Sequence, residues 1–213
     1  MTGRDQDRIS GGLIVGAVGA AATLMLHHPT SFKGPDDGLL LNDWSNTAVH
    51  GAMIVCLLAL RFGHAEWAQR LGKAHLSVRL GAMLLDSGMT AFIAAALISG
   101  FAASGVAARL EPDDARLMLK GFVALNQALA NLGMALTAAA MATWAVRMLR
   151  LDMVARIAGG LGLIAAVAAA CWMIVGQGAF GLYPAVTATA LFGLWSILIA
   201  SQMMVAPAKE PAR

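Results

Sequence analysis

The stretch "ISGGLIVGAVGAAATLMLHH", residues 9–28, has twenty residues and no Asp, Glu, Lys or Arg. A span across a 30 Å hydrocarbon layer needs about 20 apolar residues at 1.5 Å each. The run has no period-2 alternation, so it reads as a membrane helix rather than a barrel strand. It lacks an A-x-A exit before "HHPT", and so reads as a retained span rather than a leader.

Five further runs of the same kind follow, giving spans at about 9–28, 44–62, 78–104, 115–147, 154–176 and 183–206. The whole chain is 59% hydrophobic and 13% charged, with mean hydropathy +0.70. A soluble domain has about 25% charged residues, so lipid is the expected solvent. The fold class is therefore all-α, one domain over 1–213, a polytopic bundle of six transmembrane helices in contact with membrane lipids.

Loop charge orients the bundle. Arg4, Arg8, Arg61, Arg70, Lys73, Arg79, Arg147, Arg150, Arg156, Lys209 and Arg213 fall on one side, which is 11 of the 15 basic residues. The other side holds Lys33, Arg109, Arg116 and Lys120 among Asp36, Asp37, Asp43, Glu111, Asp113 and Asp114. The positive-inside rule then places both termini in the cytoplasm and the protein in the inner membrane. The net charge of +3 is spread over loops rather than one stripe, which excludes nucleic acid as a partner. Trp44 and Tyr183 are expected at outer helix ends and Trp144 at an inner one. "GHAEWAQRLGKAH" (63–75) reads as an amphipathic segment lying along the cytoplasmic surface.

"RISGGLIVGAVGAAA" (8–22) resembles "RIAGGLGLIAAVAAA" (156–170), and "RLGAMLL" (79–85) opens the third span in a related way. Three repeated helical hairpins are the implied plan. The glycines of these segments are spaced for close helix approach, not for phosphate binding. Cys56 and Cys171 lie far apart inside apolar runs and read as small buried apolar residues. The 13 methionines are scattered as packing residues rather than clustered as copper ligands.

Two groups of residues could carry chemistry. His27 and His28 end the first span, and His50 lies about 9 Å into the second from its Trp44 end, one turn below Asn46. With Asp36, Asp37 and Asp43 in the connecting loop, imidazoles and carboxylates gather at one outer corner and suit zinc, copper, nickel or iron. Histidines from two helices also suit axial ligation of haem b. No spacing matches a defined metal motif.

Asp86 is the acidic residue well inside a span. An ionised carboxylate there costs at least about 2.5–3.5 kcal/mol, so Asp86 is expected to hold a partner, as a proton or ion site within reach of Arg79 or as a clamp to Asn131. Asn126 and Asn131 on the fourth span complete a membrane-embedded polar site with Asp86. The function expected first is small-molecule or ion transport, or an accessory role beside other membrane subunits or a second copy. The alternative is a haem- or metal-binding redox subunit. No hydrolytic triad or paired carboxylates can be assembled, so the reading leans away from an enzyme.

Overall fold

The computed structural model describes residues 3–28, 45–109, 111–176 and 180–205. The helices are α1 (Gly3–Leu26), α2 (Asn46–Leu71), α3 (Leu76–Leu97), a π-turn (Ile98–Ala102), α4 (Ala103–Arg109), α5 (Pro112–Met148), α6 (Met153–Val175) and α7 (Leu182–Val205). α3, the π-turn and α4 run on as one rod, and among the described residues six helices are long and apolar enough to cross a membrane. Among the described residues there is no strand. Lys33, Asp36, Asp37, Asp43, Trp44, Lys209 and Arg213 lie outside the described residues.

The helices pack in chain order around a closed ring. α1 packs on α2, α2 on α3, α3 on α5, α5 on α6, α6 on α7, and α7 returns to α1. Each hairpin thus places its two helices side by side; the connections from α4 to α5 and from α6 to α7 are short enough to require it.

Glycines set several of these approaches. A Cβ on Gly11 would stand 2.9 Å from the Ala200 carbonyl oxygen of α7, and one on Gly162 2.9 Å from the Met141 carbonyl of α5. A Cβ on Gly81 would overlap Trp144. With little hydrophobic drive between helices in lipid, such close backbone packing is what holds the ring.

The middle of the ring is filled. Trp67, Trp144 and Trp195 are buried with Ile14, Met141, Ile199 and Met203. Trp144 is therefore a core residue and not a surface anchor; its Nε1–H donates to the Val78 carbonyl of α3 at 3.0 Å. Tyr183 is exposed, Cys56 is buried and Cys171 is exposed.

Residues 63–71 differ from the expectation of a surface helix: they continue α2 as its last turns. Trp67, Ala68 and Leu71 face the core, while Glu66 accepts from Gln6 and Gln69, and Arg70 bridges Asp7 at 3.0 Å. The polar residues there answer the polar first turns of α1 rather than lipid headgroups. Asp152 caps α6, accepting from the Ala155 N–H at 3.2 Å and from the Gln202 side chain of α7.

Candidate functional site

The π-turn organises one end of the bundle. Its wider winding disturbs the regular i to i−4 ladder, and such turns are frequent at functional sites. Asn46, at the start of α2, donates from Nδ2 to the Ser99 carbonyl at 2.8 Å and to Ser104 Oγ at 3.0 Å. Thr47 Oγ1 donates to the Gly100 carbonyl at 2.8 Å. α2 therefore ties itself to two carbonyls of the turn with consecutive residues.

The same junction fixes His50. Its ring lies against Gly100, where a Cβ would overlap the His50 Cβ. His50 Nδ1 is 2.8 Å from the Asn46 carbonyl oxygen. A carbonyl only accepts, so Nδ1 carries the proton and Nε2 presents its lone pair. That lone pair accepts a hydrogen bond from His28 Nε2 at 3.3 Å, with the rings 4.8 Å apart and inclined at 69°. The end of α1 and the start of α2 thus bring two of the three candidate imidazoles together. His27 occupies the turn after α1, its N–H donating to the Leu24 carbonyl at 3.2 Å.

Two nitrogens bound to one tetrahedral ion at about 2.0–2.1 Å stand about 3.3 Å apart, the separation seen here. Metal-bound histidines also typically anchor the other ring nitrogen on a carbonyl, as His50 does. Axial haem ligands need a wider gap with a macrocycle between them, and these rings meet edge to face instead. Among the described residues no three His, Cys, Asp or Glu side chains converge, so His28 and His50 stand as a pair without a third such side chain.

The other expected site does not come together as one cluster. Asp86 pairs with Arg61, whose Nε–H donates to Oδ1 at 2.5 Å. Asn131 instead accepts from Gln127 at 2.9 Å and from the Phe180 N–H at 3.3 Å, fastening the approach to α7 onto α5. Asn126 lines a cavity of about 30 Å³ with Ser99, Phe122 and Leu119, room for about one water beside the π-turn.

His64, which the sequence reading passed over, is fully buried. Its ring stacks on Trp195 at 5.4 Å, Phe192 at 5.6 Å and Trp144 at 6.3 Å. Compared with known proteins, the chain matches no family model, no curated protein and no solved structure.

Proposed function

We propose that this chain is a metal-handling protein of the inner membrane that binds one zinc or copper ion between His28 and His50 at the outer end of the bundle. The observation that carries the reading is the 3.3 Å separation of the two Nε2 atoms, with His50 anchored through Nδ1. Imidazole suits both metals. With two protein ligands, the remaining positions belong to water or to an incoming ligand, the arrangement of an exchangeable rather than a structural site.

The orientation is part of the proposal: both termini are cytoplasmic. Arg61 proves to sit inside α2, and the ten other basic residues on that side still carry the asymmetry. Descent from a repeated hairpin finds support in the paired glycines. Gly11 packs on α7 and Gly159 on the end of α5, whereas Gly12 and Gly160 face open space.

Transport through Asp86 has less behind it. The carboxylate is engaged by Arg61, and tryptophans fill the middle of the ring. The test is titration of the detergent-purified protein with zinc(II), and with copper(I) under reducing conditions, against a chromophoric chelator. One equivalent per chain is expected, lost in His28→Ala and in His50→Ala and kept in His75→Ala. No uptake of either ion overturns the reading. A Soret band in the purified protein would replace it with haem.

A further inference from the structure

The Arg61–Asp86 pair stands in an unusual place. Arg61 is ten residues from Leu71 and Asp86 ten from Leu76, so both lie about 15 Å along their helices from the shared turn. Yet their side chains are 40% and 51% exposed, on the outer flank of α2 and α3. Lipid is a poor neighbour for such a pair. Arg61 could lift its charge toward the headgroups, but the short Asp86 side chain cannot follow.

The pair is also incompletely satisfied. Arg61 has five N–H donors and uses Nε; Asp86 uses Oδ1. Among the described residues, no partner stands on the other guanidinium nitrogens or on Oδ2. The leftover groups are therefore donors and an acceptor at once, on one patch. A two-fold axis through such a patch brings the donors of one copy to the acceptor of the other. Phe62, Leu58, Met83 and Leu80 are exposed around it and supply an apolar surround.

We propose that a second copy of this chain docks on the α2–α3 face, with Arg61 and Asp86 of the two copies forming one four-charge cluster across a two-fold axis. The choice of occupant rests on charge: the patch is neutral overall and complementary to itself, so it needs no different partner to close it.

The experiment uses two differently tagged full-length copies, co-expressed and reconstituted in lipid vesicles. Wild-type copies are expected to co-purify. Asp86→Arg alone or Arg61→Asp alone places like charges face to face, so co-purification should fall about tenfold or more. Mixing the two variants should restore it, because only a contact between chains can be rescued in trans.

A second readout keeps the native charges. With Cys171→Ser as background, Met83→Cys should cross-link between copies in the membrane, and Val167→Cys on α6 should not. A monomeric wild type overturns the proposal. So does a mixture no better than the single variants when Met83→Cys also fails to cross-link.

Discussion

Ser196 Oγ lies 3.2 Å from His64 Nε2 at the centre of the ring, joining α7 to α2 inside a stack of aromatic rings. His64 Nδ1 is 2.7 Å from the Leu60 carbonyl oxygen, so Nδ1 carries the proton and Nε2 accepts from the serine hydroxyl. Both residues are fully buried. Ser196→Ala therefore leaves a buried acceptor unpaired, at about 1–3 kcal/mol. Replacing both partners with apolar groups of similar shape, in His64→Phe with Ser196→Ala, should recover most of that loss. Thermal unfolding of the purified variants, run as a double-mutant cycle, checks it; additive losses would show that the two side chains do not interact.

Glycines on opposite faces of helices should respond oppositely to alanine. At Gly81 the new methyl would overlap Trp144 and stand 2.8 Å from Thr143 Oγ1. Trp144 is fully buried and bonded to Val78, so it cannot give way without losing that bond. Overpacking of this kind costs about 1–3 kcal/mol. At Gly160 nothing lies within 4 Å, and alanine there should stabilise α6 by about 0.5–1 kcal/mol. The melting temperatures of the two variants, measured side by side, should move apart.

The hydropathy of the runs made six helices legible, because a 20-residue apolar stretch has few other solutions. The extension of α2 was also written in the chain: Leu60, His64, Trp67, Ala68 and Leu71 follow helical spacing and form one buried stripe. The charges between them belong to the other face, where Glu66 and Arg70 meet α1. The partner of Asp86 could have been counted, since residues 61 and 86 are equally distant from the turn between α2 and α3. What the sequence does not carry is the π-turn. No residue pattern announces it, and it becomes visible only when Asn46 and Thr47 are seen to donate to it from another helix.

Acid should loosen the contact between α6 and α7. Burial pushes the Asp152 carboxyl upward, but bonds from the Ala155 N–H and the Gln202 side chain outweigh it and hold it below its ordinary 3.8. A carboxyl lowered by folding adds stability above its unfolded value, and that stability is lost as pH falls through the folded one. The contribution of Asp152, read as the difference in melting temperature between wild type and Asp152→Ala, should therefore be flat above about pH 5 and decline below about pH 4. Asp152→Ala should cost about 0.5–2 kcal/mol at neutral pH by removing the cap of α6, and should flatten part of the acid decline. An unchanged acid profile in that variant would assign the decline to other groups.

The proposed metal pair depends on how His50 is seated, and Gly100 tests this without touching a ligand. A methyl at Gly100 would overlap the His50 Cβ and stand 2.8 Å from Cγ, so the ring must shift. Its neighbours leave little freedom: Asn46 holds Nδ1, and Thr47 holds the Gly100 carbonyl. A shift of a few tenths of an ångström spoils a nitrogen separation that fits one ion. Gly100→Ala should then weaken zinc or copper binding about 10–100-fold, the range for disturbed support around a metal ligand, although His28 and His50 are both present. Gly51→Ala is the control, since its methyl would meet Phe101 at an ordinary 3.5 Å. Binding in Gly100→Ala equal to that of the control would mean that the pair tolerates displacement and that the 3.3 Å geometry is not what selects the ion.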